Sequence, residues 1–322
     1  MLLHFLFIVA GVALVLWGAD SLTEGASALA RRMRIPEIVI GLTIVAAGTS
    51  APELFVSLVS ALKGTPDMAI GNVVGSNTFN ALLIVGCAAM TCPMVIAPST
   101  VKKDLPFAVG ASLLLLVLAC DTLLTASAGA RSLSRTDGLL LLAGFAAFMA
   151  YTFRTALKGS SAGADGTATA TAAANPWVSM LRVVLGLAGL IAGSNLFVES
   201  ATAVARELSV SEGVIGLTIV AGGTSLPELA TSVVAARKGQ SAIAIGNVIG
   251  SNVFNILLIL GLTATISPLQ IEGITPIDLT VMMVSILLVW AFSFTKYTVA
   301  RWEGAVLVAI FMAYMGWLLY NL

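Results

Sequence analysis

The amino-acid sequence predicts an all-α polytopic membrane protein with ten transmembrane helices. We expect two inverted five-helix repeats, with broken helices 2 and 7 at the centre. The first reason is composition, because 58% of the residues are hydrophobic, 10% are charged and the mean hydropathy is +1.02. A soluble domain is about half apolar and a quarter charged, so this chain is suited to a bilayer. The other two reasons are a series of long apolar runs and an internal duplication.

The apolar runs give the helices in chain order. A spanning helix needs about 20 mostly apolar residues. The runs that satisfy this rule lie near 3–30, 36–62, 67–90, 104–121, 137–156, 178–205, 211–236, 241–265, 277–295 and 302–320. The first run lacks the basic residues that precede the apolar part of a secretory signal, so we expect it to stay as a membrane helix.

A segment rich in Gly, Ser, Thr and Ala separates the fifth run from the sixth. It reads KGSSAGADGTATATAAANP, which is the composition of a flexible linker and is too short to form a domain. We therefore divide the chain into an N-terminal five-helix repeat (1–157), a flexible linker (158–176) and a C-terminal five-helix repeat (177–322).

The internal duplication is the strongest signal in the sequence. Residues 41–86 align without a gap to residues 216–261, with 31 identities in 46 positions and an offset of 175. Each half then holds five spans, and an odd number of spans means that the two halves enter the membrane from opposite sides. Inverted repeats with Gly- and Pro-interrupted helices at matching positions indicate a secondary transporter whose site lies near the membrane midplane.

Basic residues give the orientation. If ten spans start with the N-terminus outside, twelve of the 16 Lys and Arg residues fall on the cytoplasmic side and four on the other. Because cytoplasmic loops carry the excess of basic residues, we expect both termini outside and the central linker in the cytoplasm.

A repeated motif places a carboxylate inside an apolar run. It reads GTSAPE at 48–53 and GTSLPE at 223–228. On a helix, the hydroxyls of Thr49 and Ser50 can share a face with the Glu53 carboxylate. Pro52 has no N–H and clashes with the carbonyl four residues earlier, so we expect an unwound turn that frees carbonyls around 46–48 and, by the repeat, 221–223. Free carbonyls in hydrocarbon are tolerated where they line a cavity or meet an ion.

A second repeated motif adds a polar stripe. GNVVGSN at 71–77 recurs as GNVIGSN at 246–252, and each is followed three residues later by another asparagine. The stripe residues recur every fourth position, on one helix face. They are Asn72, Ser76 and Asn80 in the first half and Asn247, Ser251 and Asn255 in the second.

Together the two motifs supply only oxygen donors, which suit hard cations such as calcium. A charged Glu at the bilayer centre costs about 2.5–3.5 kcal/mol on insertion scales. Glu53 and Glu228 would also repel one another unless one of them is protonated or cations neutralise them. One divalent ion or two sodium ions can cancel both charges. The Ser and Asn positions alone are equally compatible with hydrogen bonds that pack membrane helices. Other acids, among them Asp104 and Asp278, we interpret as loop or helix-end charges.

Several function classes are disfavoured. The net charge is zero, so nothing indicates nucleic-acid binding. We expect the lipid bilayer as the environment, and no protein partner can be inferred. Three cysteines and a single histidine, His4, argue against a disulfide framework or a zinc site. No nucleophile motif or histidine-based site suggests an enzyme, and we expect no cofactor.

The paired GTSxPE and GNVxGSNxFN motifs, in two five-helix halves, resemble the sodium/calcium exchangers of the cation/calcium antiporter superfamily. The resemblance covers essentially the whole chain and is to the compact prokaryotic type, since a large cytosolic calcium-sensing domain is absent. It implies eight core helices with two long tilted helices, the first and sixth, and a prokaryotic plasma (inner) membrane location. It also implies an antiporter that exchanges Na+ for Ca2+ by alternating access.

The same resemblance implies roles for particular residues. Glu53 and Glu228 would be the calcium carboxylates, and Asn80 and Asn255 would flank the centre. The remaining implied ligands, mostly for sodium, are hydroxyl or carbonyl oxygens of Thr49, Ser50, Thr224, Ser225, Ser76, Ser251, Ala46 and Ala221.

Two positions bear on the coupling ion. Some relatives carry Asp where this chain has Asn255, so the centre here holds two carboxylates rather than three. Proton-coupled cation exchangers resemble GNxxE, with Glu where this chain has Gly75 and Gly250, which favours sodium coupling here. A proton-coupled or K+-assisted exchanger remains the alternative, and a cation channel is disfavoured because pores are usually symmetric about the membrane normal.

Overall fold

A computed structural model describes residues 2–120, 131–162, 175–208 and 221–320. Almost all of these residues are helical. In chain order the helices are α1 Leu2–Met33, α2 Glu37–Thr49, α3 Ala51–Leu62, α4 Pro66–Thr91, α5 Leu105–Ala119, α6 Arg135–Ala162, α7 Pro176–Glu207, α8 Ala221–Thr224, α9 Leu226–Arg237, α10 Ser241–Ile266, α11 Pro276–Ser293 and α12 Arg301–Tyr320.

Within this described part of the chain, seven helices are long and apolar enough to cross a membrane, or eight if the bent pair α2 and α3 counts as one span. These eight correspond to eight of the ten predicted runs. The predicted fourth run, 104–121, corresponds to the 15-residue α5, which continues directly from a π-helical turn, Thr100–Asp104. The predicted seventh run lies partly outside the described residues, and its described part is α8 with α9.

Helix bounds differ from the predicted segments near the linker. Helix α6 continues to Ala162, which is five residues into the segment predicted as linker, and α7 begins at Pro176. Residues 163–174 of that predicted linker lie outside the described residues.

Four two-residue strands were not predicted. Met94–Val95 pairs antiparallel with Thr298–Val299, and Ser132–Leu133 pairs with Leu269–Gln270. Each pairing joins a loop of the first half to a loop of the second. Two residues are too few for a hydrophobic periodicity to show in the sequence, because strand patterns need about four.

The predicted break in the second helix is confirmed. Helices α2 and α3 meet at an angle of 46°, and the junction residue Ser50 has ψ of 6°, outside the helical range. Ser225 separates α8 from α9 with a similar ψ of 8°. Pro52 and its counterpart at 227 each stand in the first turn after the break, where a missing N–H costs nothing within the helix.

One detail of the predicted break was wrong. The Ala46 carbonyl is not freed, because it accepts the Ser50 N–H at 3.0 Å and lies 3.4 Å from the Thr49 hydroxyl. The turn before the break therefore keeps a helical hydrogen bond. The carbonyl that loses its helical donor is that of Gly48, because the residue four positions later is Pro52.

The long helices α1 and α7 pack directly on one another through glycines. A Cβ placed on Gly18 would lie 2.7 Å from both the Gly186 carbonyl oxygen and the Leu190 nitrogen. A Cβ on Gly186 would lie 2.6 Å from the Leu22 nitrogen. Only residues without a side chain allow two helix backbones to approach this closely.

The molecule has an apolar exterior and a partly polar interior. Helices α10 and α4 are the central ones. In their most apolar 18-residue segments, 94% and 72% of the segment is buried inside the molecule, against 22% for α12. Leu6, Phe55 and Trp177 are 59%, 71% and 76% exposed on the outside. An apolar exterior of this extent fits a lipid environment rather than water.

Asp104 and Asp278 lie at helix ends, as interpreted from the sequence: Asp104 precedes α5, and Asp278 caps the first turn of α11. Their burial was not predicted. They are only 4% and 7% exposed. The Tyr151 hydroxyl donates to Asp104 at 2.8 Å, and the Tyr314 hydroxyl donates to Asp278 at 2.7 Å. Each tyrosine comes from the next helix along the chain, so the burial arises from tertiary packing that the local sequence does not reveal.

Candidate cation-binding site

The two motif glutamates lie at the centre of the molecule and are held by serines of the opposite half. Glu53 and Glu228 both have 0% exposure. The Ser225 hydroxyl donates to Oε1 of Glu53 at 3.1 Å. The Ser50 hydroxyl donates to Oε1 of Glu228 at 3.2 Å. The two contacts are equivalent in the repeat, because Ser50 and Glu53 correspond to Ser225 and Glu228, 175 residues later. The breaks in α2–α3 and α8–α9 therefore form one reciprocal site.

Each glutamate also presents an oxygen that has no hydrogen-bond partner. Oε2 of Glu53 and Oε2 of Glu228 are buried and accept nothing. None of the ion pairs found among the described residues involves either carboxylate. Burying a carboxylate without a counter-charge is costly, so these oxygens are suited to a cation that arrives from outside the protein.

Asparagines of the helices that follow hold the backbone of each glutamate. The Asn72 amide donates to the Glu53 carbonyl at 3.2 Å and to the Ser57 hydroxyl at 3.0 Å. Asn247 makes the equivalent contacts in the second half, to the Glu228 carbonyl at 3.3 Å and to a serine hydroxyl at 3.0 Å. These bonds fix the first turn of α3 and α9, from which the carboxylates project.

The predicted hydroxyl donors lie around the same centre. Thr49 is fully buried and donates to the Asn247 side-chain oxygen at 3.1 Å. Ser225 lies 3.2 Å from Ser76, which links α9 to α4. Ser251 is fully buried on α10 at the position equivalent to Ser76. A hydroxyl that donates its one hydrogen keeps lone pairs for a cation.

Asn80 and Asn255 are also buried, and each is bonded to an asparagine of the other half. The Asn80 amide donates to the Asn252 side-chain oxygen at 3.1 Å, and the Asn255 amide donates to the Asn77 side-chain oxygen at 3.1 Å. The side-chain oxygens of Asn80 and Asn255 are buried and have no hydrogen-bond partner.

The three remaining predicted residues lie at the helix breaks. Ala46 is fully buried in α2, with its carbonyl bonded as described above. Thr224 is half-buried at the end of α8, and Ala221 begins the described part of that helix.

Four asparagines of this site were not among the predicted ligands: Asn72, Asn77, Asn247 and Asn252. All four are identical between the two halves, and that identity was the available signal.

The donor set is unusual for a resident metal site. Across the described residues, no group of three or more His, Cys, Asp or Glu side chains is arranged to hold a metal ion. The site instead has two carboxylates among neutral hydroxyl, amide and carbonyl oxygens. Few charges and many neutral oxygens are expected where an ion must bind and also leave.

Comparisons with known proteins identify the family. The family model for the sodium/calcium exchanger protein matches residues 3–154 and 178–320. CaxA of Alkalimonas amylolytica is 39% identical over 98% of both chains. The sodium/calcium exchanger MaX1 of Methanosarcina acetivorans is 33% identical over 98% of this chain and 99% of its own.

A solved structure gives the same result at the level of the fold. The sodium-calcium exchanger NCX_Mj, soaked with 10 mM Na+ and zero Ca2+, matches with a TM-score of 0.82 and 30% identity, over 98% of both chains. The chain therefore belongs to the sodium/calcium exchanger family of integral membrane antiporters.

Proposed function

We propose that this protein is a secondary active antiporter that exchanges Na+ for Ca2+ across the membrane by alternating access. The observation that carries the proposal is the pair of buried glutamates, Glu53 and Glu228, each held at one oxygen by a serine of the other half and unpartnered at the second. One calcium ion would neutralise both carboxylates, and two sodium ions would do the same. A single site that is neutral with either ion supports competitive exchange.

The neutral oxygens complete the proposed coordination. Calcium takes six to eight oxygen ligands, and two carboxylates supply at most four. The further ligands that we propose are the hydroxyls of Thr49, Ser50, Thr224, Ser225, Ser76 and Ser251, the side-chain oxygens of Asn80 and Asn255, and the carbonyls of Ala46 and Ala221. The Ala46 carbonyl would have to bind the ion in addition to, or in place of, the Ser50 N–H that it accepts at 3.0 Å. No cofactor is required, because the ions are the substrates.

The membrane arrangement follows from the same proposal. Ten spans would form two inverted five-helix repeats, 1–157 and 177–322, with the linker 158–176 in the cytoplasm and both termini outside. The distribution of basic residues supports this orientation. The similarity to CaxA of Alkalimonas amylolytica, over 98% of both chains, supports a prokaryotic plasma membrane.

The proposal is tested by transport in proteoliposomes. Wild-type protein should take up calcium-45 when a sodium gradient is imposed, and Glu53→Gln or Glu228→Gln should reduce uptake to the level of protein-free vesicles, since either change removes one of two charges. Glu272→Gln is the matched control, because Glu272 is an exposed loop carboxylate. Retained uptake in either site variant would refute the site.

The coupling ion is tested in the same vesicles. Replacing the sodium gradient by a potassium or proton gradient should leave calcium uptake at background. If uptake is driven by a proton gradient or depends on potassium, that ion and not sodium is the coupling ion. Uptake that needs no counter-ion would indicate a channel.

A further inference from the structure

Two asparagines that are not among the proposed ligands determine which atoms of the site face the cation. We propose that Asn77 and Asn252 are positioning residues, which hold the amides of Asn255 and Asn80 so that only oxygen faces the transported cation. The inference rests on the proposed function, because it concerns how the same site recognises a cation. It adds residues that neither the proposed ligand set nor the motif stripes include.

The first support is the reciprocal hydrogen bonding. The Asn255 amide nitrogen donates to the Asn77 side-chain oxygen, and the Asn80 amide nitrogen donates to the Asn252 side-chain oxygen, both at 3.1 Å. The two bonds exchange under the offset of 175. A contact that occurs once could be fortuitous packing, whereas here both halves make it at the same distance.

The second support is what the bonds leave over. An asparagine side chain carries one accepting oxygen and one donating NH2 group. Because the NH2 groups of Asn80 and Asn255 are engaged, their oxygens remain, and both are buried without a hydrogen-bond partner. Asn80 stands one helical turn after Ser76, whose hydroxyl contacts the Ser225 that holds Glu53, so the oxygen lies on the site face of α4.

The third support is that the Asn77 side chain is itself held in place. The Asn77 amide nitrogen lies 3.4 Å from the Asn252 carbonyl and 3.9 Å from the Met282 sulfur. These contacts occupy the donating end of Asn77, so its oxygen is directed to Asn255. Asn77 is 1% exposed and Asn252 is 3% exposed, and bonds at such depth are not exchanged for water.

The chemical consequence concerns orientation of the amide. The terminal torsion of asparagine is roughly two-fold, so without a partner the side chain can turn its NH2 group to where the oxygen stood. An NH2 group carries positive hydrogens and repels a cation. Removing Asn77 would therefore change a ligand at position 255 into a repulsive group for part of the time, and the site would bind calcium more weakly.

The test is a double-mutant cycle on equilibrium calcium-45 binding to the purified protein in detergent. Asn77→Leu should weaken binding by about tenfold, the size of effect expected when a hydrogen bond in a charged site is lost. In an Asn255→Asp background both side-chain oxygens accept and no NH2 group exists. There, Asn77→Leu should change the affinity by less than about threefold, near the limit of additivity.

A mirror-image cycle guards against misfolding. Asn252→Leu, measured alone and in an Asn80→Asp background, should repeat the pattern with independent variants. Thermal unfolding of each protein reports packing separately. If Asn77 and Asn252 served only to pack α4 against α10, the leucine variants would lower stability equally in both backgrounds and weaken binding equally in both, which would overturn the inference.

The readout also separates this inference from the proposed function. Calcium binding requires no sodium gradient. A wild-type protein that binds no calcium would overturn the proposed function and this inference with it. A wild-type protein that binds calcium, with unchanged affinity in Asn77→Leu and Asn252→Leu, would overturn this inference alone.

Discussion

Replacing Gly18 by alanine should destabilise the protein although alanine is the better helix former. Gly18 lies where α1 crosses α7, and the added Cβ would stand 2.7 Å from the Gly186 carbonyl oxygen and from the Leu190 nitrogen. Both neighbours are backbone atoms of a helix of 32 residues, so no side-chain rotation can make room. The two helices must separate.

The size of the effect follows from the distance. Ordinary contact begins near 3.4 Å, so the helices would have to part by about 0.7 Å at this point. A gap of about 0.5–1 Å loses a quarter to a half of the dispersion energy of the atoms that it separates. Inserting one methyl group into a packed interior typically costs about 1–3 kcal/mol. We therefore expect Gly18→Ala to lower the free energy of unfolding by about that amount.

Gly110 provides the matched control. It lies in the interior of α5, is exposed on the outside and has no atom within 4 Å of an added Cβ. Because glycine is about 1 kcal/mol less favourable than alanine in a helix, Gly110→Ala should be neutral or stabilising. Denaturant-induced unfolding in mild detergent, followed by far-UV circular dichroism, measures both. If the two variants were equally stable, the direct backbone contact between α1 and α7 would be refuted.

Two further changes test the site and its surroundings. Ser50→Ala and Ser225→Ala should each weaken calcium binding by about ten- to a hundredfold and by similar factors, because a hydrogen bond to a charged group is worth about 1.5–3 kcal/mol. Lys238→Gln should lower the free energy of unfolding by about 1 kcal/mol, and less at high salt, because the Lys238–Asp20 ion pair of 2.6 Å is partly exposed. Calcium-45 binding and denaturant titration are the respective measurements.

Matched controls exist for both. Ser112→Ala removes a buried hydroxyl that donates only to its own helix, at 3.1 Å to Ala108, and should leave calcium affinity unchanged. Lys63 is exposed and forms no ion pair with any described residue, so Lys63→Gln should not alter stability. Unequal losses in the two serine variants, or equal losses in the two lysine variants, would contradict the contacts.

The helices and the residue types of the site could be predicted from the sequence, because both depend on local properties. Apolar runs of sufficient length located eight helices that can span a membrane, and the duplicated GTSxPE motif located the breaks.

The partners of the site residues could not be predicted in the same way. Spacing within one motif places Ser50 beside Glu53, whereas the structure bonds Ser50 to Glu228 of the other half. At the helix break the Ser50 hydroxyl points to the other repeat, and a periodicity within one helix cannot predict a contact between repeats. Asn77 was overlooked for a related reason, because it lies beside the i, i+4 stripe and its partner Asn255 is on another helix.

The contrast between the centre and the edge of the molecule bears on how it would work. At the centre, contacts exchange between the halves, as the serine–glutamate bonds do. At the edge they do not, because Lys238 contacts Asp20 and Glu24 of α1 at 2.6 and 3.3 Å. The equivalent Lys63 has no such ion pair among the described residues.

An alternating-access protein requires both properties at once. Its site must present the same ligands to either side of the membrane, which reciprocal contacts would provide if the two halves are inverted as proposed. Any one conformation, however, must close one side more firmly than the other. In the proposed orientation the Lys238 ion pairs lie on the cytoplasmic side and join α1 to the end of α9. In this conformation, these two helices are therefore tied together on the cytoplasmic side. If the proposed alternating access holds, the Lys238 ion pairs, which differ between the halves, are the contacts that we expect to break when the conformation changes.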